Sequence, residues 1–216
     1  MKGDKIIVED HHRKAAEKIV EIILPQITSS DSRFAINVAG ESGSGKSEIA
    51  MAISDELAKK DIKSIILQQD DYFVYPPKTN DKTRRQDINW VGTQEVHLDV
   101  LDQNIMDILD GISEIEKPLV IYDEDTITRE TINVENAKVV IADGTYTTAL
   151  NNLTCRTFID RNYLDTRAYR EKRSRHKSEL DKFTEKVLTI EHEIISSHKA
   201  KADIIITKNY DVRENR

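Results

Sequence analysis

The residue pattern with the clearest chemical meaning in this chain is a glycine-rich loop that ends in a lysine and a serine. It comprises Gly40, Glu41, Ser42, Gly43, Ser44, Gly45, Lys46 and Ser47. Backbone N–H groups of such a loop, opening into a helix N-terminus, bind phosphate oxygens without burying an opposite charge. The lysine can reach the β- and γ-phosphates, and the serine hydroxyl is placed to bind Mg²⁺. The pattern therefore predicts a phosphate-binding loop, or P-loop, for a nucleoside triphosphate.

The sequence on either side of the loop supports this interpretation. Residues 34–39 form an apolar run typical of a buried strand, and residues 47–60 show helical spacing of Ile49, Ile53 and Leu57. Strand, loop and helix in that order are the context in which the motif binds phosphate. We expect Glu48, in the first turn of the helix, to belong to the same nucleotide site.

Three acidic residues follow predicted strands and are candidates for catalysis or metal binding. Asp70 and Asp71 come after the apolar residues of segment 63–69, where an acceptor hydroxyl would approach the γ-phosphate. Either could accept the hydroxyl proton; Asp70 is our first candidate, and it is also a candidate metal ligand. Asp143 ends the apolar strand 138–142 and is a candidate Mg²⁺ ligand. The alternative for each acid is that it caps a turn.

A basic segment later in the chain is a candidate lid over the triphosphate. The predicted lid spans about residues 161–182. Its residues 161–177 include the basic side chains Arg161, Arg167, Arg170, Lys172, Arg173, Arg175 and Lys177. One arginine side chain can donate hydrogen bonds to two phosphate oxygens at once. Its positive charge also stabilises the negative charge that shifts during phosphoryl transfer. We expect Arg170 and Arg173 to act in catalysis and Arg175 to bind the nucleotide. The alternative is a solvated helix face paired with nearby acids.

Aromatic side chains are concentrated near the expected site. They are Tyr72, Phe73, Tyr75, Trp90, Tyr122 and Tyr146. An aromatic ring can stack on a base or a sugar. We expect Tyr72, Trp90 and Tyr122 to line the acceptor site together with Asp70 and Arg161, although packing in the core or a loop is the alternative for each ring.

The remaining pattern predicts an α/β fold. Helices are expected at 9–27, 93–109 and about 165–198, a long loop at 71–92, and further strands at 118–122, 157–160 and 203–207. Short apolar strands that alternate with helices indicate a parallel sheet covered on both faces. The prediction is a three-layer P-loop NTPase fold in one domain, 1–216, with a parallel sheet of about five strands and an arginine-rich helical lid.

Composition limits the classes of function. The chain has 216 residues and a formal net charge of −7, which argues against general nucleic-acid binding. The single cysteine, Cys155, excludes an internal disulfide and favours a cytoplasmic location. No apolar stretch approaches the length of a membrane span. We therefore expect a small-molecule acceptor, no nucleic acid and no membrane. The oligomeric state stays open, with a homo-oligomer as one candidate.

In combination, these motifs resemble the uridine kinase and phosphoribulokinase group of P-loop kinases. The resemblance runs from Phe34 to Ile206 in the family's order. Its counterparts here are the loop 40–47, the acidic and aromatic residues 70–73, Asn89-Trp90, Tyr122-Asp123, Asp143-Gly144, the basic segment 167–175, and the strand 202–206. The resemblance implies transfer of the γ-phosphate of ATP, with Mg²⁺, to a hydroxyl of a small metabolite. It also implies that Asp70 is the base and that Arg170, Arg173 and Arg175 belong to the lid.

The sequence does not identify the acceptor molecule. In uridine kinases an acid and a proline shortly after the Asn-x position usually contact ribose, and the stretch from Asn89 to Glu95 matches neither of them. Ile127 stands near the usual histidine, and Asp143 replaces the usual glutamate. A nucleoside or another sugar-containing metabolite is the first expectation, and a sugar phosphate is the alternative. A non-kinase nucleoside triphosphatase is a further alternative; against a guanine-specific switch, Tyr210 stands where the acid of the Asn-Lys-x-Asp motif is required.

Overall fold

A computed structural model describes residues 6–167, 170 and 181–215 of the chain. The strands of this part are β1 (Phe34–Gly40), β2 (Ser64–Gln68), β3 (Glu114–Ile121), β4 (Thr126–Asn133), β5 (Val139–Asp143), β6 (Cys155–Ile159), β7 (Ile204–Ile206) and β8 (Val212–Glu214). The helices are α1 (Asp10–Thr28), α2 (Lys46–Ala58), α3 (Pro77–Gln86), α4 (Leu98–Leu109) and α5 (Lys182–Ser196).

The main sheet has the order β2-β5-β1-β6-β7-β8 among the described residues. Its first five strands are parallel, and β8 pairs antiparallel with β7 at the edge. All seven residues of β1 are buried, as expected for a central strand of a sheet covered on both faces. The predicted α/β class and parallel sheet are confirmed, whereas the short edge strand β8 was not predicted because it is mostly exposed.

Alternate residues of β1 point into two hydrophobic cores. Ile36 and Val38 pack with α1 and α2 on one face of the sheet. Ala35 and Ala39 pack with α4, and with Ile195 of α5, on the other face. Because successive strand residues face opposite sides, an apolar run interrupted only by Asn37 supplies both cores. The result is the predicted three-layer arrangement, with the carboxyl ends of the parallel strands at one rim.

The predicted strand at 118–122 lies outside the main sheet. It belongs to β3, which pairs antiparallel with β4 in a separate two-stranded sheet. Exposed and buried residues alternate at the start of β3, a pattern typical of a strand with only one covered face. The prediction from 118–122 was therefore wrong about placement, because the apolar run looks the same in either setting.

The predicted loop at 71–92 contains the helix α3. Its sequence has no apolar periodicity, and Asn80 is its only buried residue. Its first amides are capped from a distant part of the chain: the Asp125 carboxylate accepts from Lys78 N at 2.6 Å and from Thr79 N at 3.1 Å. A cap 46 residues away leaves no local signal, so sequence periodicity missed this helix.

The predicted helix at 93–109 begins later than expected. Thr93–Glu95 is a single 3₁₀ turn, and α4 starts at Leu98. Val100, predicted to be buried, is 39% exposed, whereas Leu101, Ile105 and Ile108 are fully buried. Of the helix predicted at about 165–198, the structure describes α5 and the 3₁₀ turn Ser197–Lys201 at its end.

Gly144, directly after β5, lies where no side chain fits. A Cβ at this position would be 2.2 Å from the Cβ of Gln69. Gly144→Ala is therefore expected to lower the free energy of unfolding by about 1–3 kcal/mol, as overpacked cores do. Chemical denaturation measures the change. Gly111→Ala is the comparison, because space there is open and only its left-handed backbone, φ 91°, opposes the change. A loss no larger at Gly144 than at Gly111 would contradict the packing argument.

Candidate active site

The P-loop lies at the carboxyl end of β1 and runs directly into α2. Gly43 and Gly45 have positive φ angles of 74° and 95°, which residues with a Cβ rarely adopt. The Lys46 Nζ donates to the carbonyl oxygen of Glu41 at 3.1 Å, so the lysine folds back over the loop. The predicted strand, loop and helix are thus joined as a phosphate site requires.

The Glu41 carboxylate supports the loop from the side. One oxygen accepts from the backbone N–H of Tyr163 at 2.6 Å, and the other lies 2.6 Å from Nδ1 of His192 on α5. Glu41 is only 5% exposed. Its side chain therefore ties the loop to α5 and to the start of the predicted lid. No sequence spacing indicated the pair of Glu41 and His192. Glu48, also predicted at the nucleotide site, is a buried residue of α2.

A candidate Mg²⁺ site lies beside the loop. In the sheet, Val38 of β1 is opposite Asp143 of β5, which brings Asp143 next to the P-loop. Ser47 hydrogen-bonds the Asp143 carboxylate. Asp143 is 4% exposed, and its Oδ1 has no hydrogen-bond partner among the described residues. A buried, unpartnered carboxylate oxygen beside a hydroxyl is a donor set that fits Mg²⁺.

Ser47 and Asp143 also line a cavity of about 360 Å³, which gives a hydrated ion room to reach them. Within the described ranges, no group of three or more His, Cys, Asp or Glu side chains could hold a metal. Mg²⁺ is commonly bound by one or two protein ligands together with phosphate oxygens and water. The residues therefore fit a metal that arrives with the nucleotide better than one bound by protein alone.

Burial raises the pKa of Asp143 from its ordinary value of 3.8 to about 6, although Lys46 and the Ser47 hydrogen bond act in the opposite direction. A raised carboxyl pKa means that the folded protein holds a proton that the unfolded chain has released between these two values. The metal-free protein therefore loses stability as the pH rises from about 4 to about 6, and regains it as the pH falls.

Asp143→Asn is consequently expected to stabilise the metal-free protein by about 1–3 kcal/mol at about pH 8, where the buried carboxylate is charged. The advantage should shrink as the pH falls to about 4, where wild-type Asp143 is neutral. Thermal unfolding of both proteins, in the presence of a chelator, measures the difference. The same variant should bind Mg²⁺-ATP more weakly. Equal stability of the two proteins at every pH would show that the carboxylate is not desolvated.

A second cavity, of about 250 Å³, holds Asp70 and part of the P-loop. We call it the Asp70 cavity. It is lined by Ser42, Asp70, Phe73, Pro77, Asn80, Arg84, Tyr122, Thr145 and Glu191. Its walls thus come from the P-loop, the segment after β2, α3, the end of β3, the segment after β5, and α5. The cavity brings a candidate base and the phosphate loop to one space, where a hydroxyl could meet a γ-phosphate.

The structure distinguishes the two candidate bases. Asp70 is exposed and lines the Asp70 cavity. Asp71 is 3% exposed; one of its oxygens lies 2.8 Å from Lys117 Nζ and the other accepts from Val120 N at 3.0 Å. Asp71 therefore holds the β3-β4 hairpin against the sheet. Asp70 is the acid free to meet an acceptor.

One side of the Asp70 cavity is a network of charged side chains. The Arg84 guanidinium donates to Glu95, which is fully buried, and to Glu191 at 3.1 Å. Asn80 also donates to Glu95, at 3.0 Å. Burial raises the pKa of Glu191, while Arg84 opposes the shift. Nearby, Tyr146 is 1% exposed, and its hydroxyl has no hydrogen-bond partner in the part of the chain that the structure describes.

Sequence reasoning missed this network. Arg84 and Asn80 lie in the segment predicted to be a loop, and Glu191 follows the predicted lid by several residues. The three line one cavity only because the fold brings α3 and α5 to it, where Arg84 donates to Glu191 at 3.1 Å. A signal was available in principle: Asn80 and Arg84 are four residues apart, which places them on one face of a helix.

Several predicted acceptor residues lie elsewhere. Tyr72 is fully buried, and its hydroxyl donates to Asn104 at 2.9 Å. Trp90 donates to Asn80 at 2.8 Å from outside the cavity lining. Arg161 stacks over Tyr210, with its guanidinium carbon 4.9 Å from the ring centre. Of the predicted acceptor residues, the structure thus brings only Asp70 and Tyr122 together in the Asp70 cavity, because the other side chains pack against neighbouring elements.

The predicted lid is described only in part. Arg170 lies against the P-loop: its Cγ is 2.7 Å from where a Cβ on Gly43 would be, and its Nη2 donates to the Tyr163 carbonyl at 2.6 Å. Arg173 and Arg175 lie outside the described residues, so their roles stay predictions. Among the described helices, none combines the length and apolar character that crossing a bilayer requires.

The site defines an ATP-dependent phosphotransferase that acts on a hydroxyl group. Its features are a P-loop, a buried carboxylate beside the serine of that loop, and a cavity that joins the loop to the exposed Asp70. The chain belongs to the phosphoribulokinase/uridine kinase family, whose sequence model matches residues 35–208. It is therefore a P-loop kinase that uses ATP and acts on a small molecule. The recognition made from the motifs is confirmed.

Relatives with known names agree with this family. The uridine kinase of Ligilactobacillus salivarius strain UCC118 is 29% identical over 188 residues, covering 79% of this chain and 83% of that protein. The bifunctional alpha-galactosidase/sucrose kinase AgaSK of Mediterraneibacter gnavus is 23% identical over 198 residues, covering 86% of this chain but 21% of that protein. A solved structure of a possible uridine kinase from Bacillus stearothermophilus superposes with a TM-score of 0.65 at 14% identity, covering 89% of this chain and 97% of that one. The structural likeness supports the fold.

Proposed function

We propose that this kinase transfers the γ-phosphate of ATP to a hydroxyl of a neutral, sugar-containing metabolite. The proposal rests on the charged residues that line the Asp70 cavity. Its described charged lining residues are Asp70, Arg84 and Glu191, and Arg84 is already shared between Glu95 and Glu191. A neutral polyhydroxyl molecule can hydrogen-bond to these groups, whereas a phosphorylated one would bring a second negative charge to them.

Two further observations support a neutral acceptor. Phe73 and Tyr122 line the Asp70 cavity, and aromatic faces are suited to sugar rings or bases. The relatives named above act, by name, on uridine and on sucrose, which are both neutral and rich in hydroxyl groups. Uridine and sucrose share little besides neutral charge and many hydroxyl groups. They therefore support a class of acceptor and do not identify the particular acceptor.

In the proposed reaction Asp70 accepts the proton of the acceptor hydroxyl, while the oxygen of that hydroxyl bonds to the γ-phosphorus. The bond from the γ-phosphorus to the β–γ bridging oxygen breaks, and ADP leaves. Lys46 donates to phosphate oxygens on which negative charge accumulates. Mg²⁺, for which Ser47 and Asp143 are the proposed ligands, supplies charge neutralisation at the phosphates when bound.

The lid arginines complete the proposal. Arg170 lies next to Gly43, which places its positive charge beside the proposed triphosphate site. We also propose that Arg173 and Arg175 bind phosphate oxygens, since the family resemblance places them in the lid. A cytoplasmic location, possible homo-oligomers, and the expectation of no nucleic-acid partner stay predictions.

The proposal is tested with matched pairs of acceptors. Uridine and uridine monophosphate, sucrose and sucrose phosphate, and ribulose and ribulose 5-phosphate are each supplied with Mg²⁺-ATP, and ADP release is followed. We expect at least one neutral member to be phosphorylated, with kcat/KM at least about tenfold above its phosphorylated partner, as expected for one unfavourable charge contact of about 1.4 kcal/mol. Preference for the phosphorylated members would favour a sugar-phosphate kinase. ATP binding without transfer to any acceptor would favour a nucleotide-binding regulator.

A further inference from the structure

Two carbonyl groups of the P-loop are held from outside by hydroxyl groups that our prediction did not include. The Ser42 carbonyl accepts from the Thr166 hydroxyl at 3.0 Å. The Ser44 carbonyl accepts from the Tyr210 hydroxyl at 3.1 Å. Thr166 is fully buried at the start of the predicted lid, and Tyr210 lies beyond the region 35–208 that the family model matches.

Each hydroxyl is also bound by an arginine. Arg161 donates to the Tyr210 oxygen, and Arg170 Nε donates to the Thr166 oxygen at 3.3 Å. A guanidinium group has donors but no acceptor, so each hydroxyl must accept from its arginine. The single hydroxyl hydrogen of Tyr210 is then directed to the Ser44 carbonyl. The hydrogen of Thr166 has two carbonyls in reach, Ser42 at 3.0 Å and Tyr163 at 3.4 Å, and the loop carbonyl of Ser42 is the nearer. The two arrangements have the same order: arginine, hydroxyl, carbonyl.

The direction of a carbonyl determines the direction of the next N–H group. In a planar trans peptide the C=O and the following N–H point to opposite sides. Because Ser42 and Ser44 present their carbonyls outward to the two hydroxyls, the N–H groups of Gly43 and Gly45 point inward. In the described part of the chain, neither N–H group donates to a protein acceptor. They are therefore available to phosphate oxygens.

We propose that Thr166 and Tyr210 are positioning residues for nucleotide binding, which orient the Gly43 and Gly45 amides toward the phosphates through hydroxyl groups bound to arginine. They need not touch the nucleotide. Arg161 and Arg170, predicted to act on ligands directly, fix the direction of these hydroxyls.

The surroundings of Tyr210 hold its hydroxyl firmly in place. Its φ angle is 66°, in the left-handed region that a bulky side chain rarely adopts. Its ring meets His12 edge-on, with ring centres 5.0 Å apart. A Cβ on Gly45 would lie 2.7 Å from the Tyr210 oxygen, so glycine at position 45 is what allows the hydroxyl to approach the loop. Burial lowers the pKa of His12 to about 4, which leaves a neutral neighbour at ordinary pH.

The test removes each hydroxyl and measures the affinity for two probes. Tyr210→Phe and Thr166→Val delete the hydroxyl group while keeping most of the side-chain volume. Calorimetry follows the binding of ATP and of inorganic tripolyphosphate, each with Mg²⁺. We expect each variant to weaken both probes by roughly fivefold, as for the loss of one neutral hydrogen bond. Thr166→Ser, which keeps the hydroxyl, should restore the affinity.

Tyr75→Phe is the matched control, because Tyr75 is 39% exposed, its ring contacts Trp90, and it does not line the Asp70 cavity. The affinities of this variant should not change. Melting temperatures separate positioning from stability, since the proposal requires the affinity loss in variants that remain folded at the assay temperature. A loss for ATP but not for tripolyphosphate would mean that Tyr210 contacts the base or ribose, and would overturn the proposal. Unchanged affinity for both probes in both variants would also overturn it. Neither measurement needs an identified acceptor.

Discussion

Lys46→Ala is expected to reduce turnover at least about 100-fold, comparable to the loss of one donor that stabilises transition-state charge. During phosphoryl transfer negative charge moves toward the bridging oxygen and the leaving ADP, and a cation at this position stabilises the change more than it stabilises bound ATP. The fold should be preserved, because the Lys46 side chain makes one described hydrogen bond, to the Glu41 carbonyl. Steady-state kinetics with the best acceptor from the panel measure the loss.

Lys59→Ala is the matched control for this result. Lys59 caps the other end of the same helix, its side chain is 66% exposed, and it pairs with Glu56 on the surface. Its removal should leave kcat and both KM values near wild type, since exposed ion pairs contribute little. If Lys46→Ala turned over at nearly the wild-type rate, the phosphate-loop assignment would have to be abandoned.

Asp70→Asn is expected to reduce phosphoryl transfer by about 100- to 10,000-fold, the usual contribution of a positioned general base. ATP binding should be nearly unchanged, because the base acts on the acceptor hydroxyl and the P-loop is intact. The asparagine keeps the size of the side chain but cannot take the proton. Single-turnover kinetics give the transfer step, and calorimetry gives the ATP affinity.

Asp71→Asn provides the comparison at the neighbouring residue. The Asp71–Lys117 pair is buried, with side-chain exposures of 4% and 6%, so the substitution should lower stability by about 3 kcal/mol. After the substitution Lys117 still has one acidic partner, Glu130, at 2.8 Å. The transfer rate of the folded fraction should stay far above that of Asp70→Asn. The opposite result, with transfer lost only in Asp71→Asn, would identify Asp71 as the base.

The local parts of this protein could be predicted because their signals are local. The apolar run of β1, the glycine spacing and the helical periodicity of α2 are contiguous, so one stretch of sequence determines the P-loop. Asp143 could be named from the apolar strand before it. Its place beside Ser47 agrees with the rule that ligand-binding residues of parallel sheets gather at one rim.

The acceptor cavity could be predicted only in part. Asp70 and Tyr122, both predicted for the acceptor site, line the Asp70 cavity together, whereas Arg84 and Glu191 of its lining were not predicted. Asp71 and Asp70 are adjacent in sequence and identical in type, and only the packing of Lys117 makes one structural and leaves the other exposed. Exposure and pairing depend on elements far away in sequence, which periodicity cannot reveal.

The sequence by itself determined the phosphate-binding loop, the α/β class and the nucleotide chemistry, because each depends on backbone conformation encoded within a few residues. Tertiary structure alone decided which acid is free, which charges line the Asp70 cavity, and which hydroxyls orient the P-loop. Thr166 and Tyr210 bind carbonyls that are 124 and 166 residues away in the chain. Such contacts form only when the layers pack, because directional hydrogen bonds require partners placed within a few tenths of an ångström.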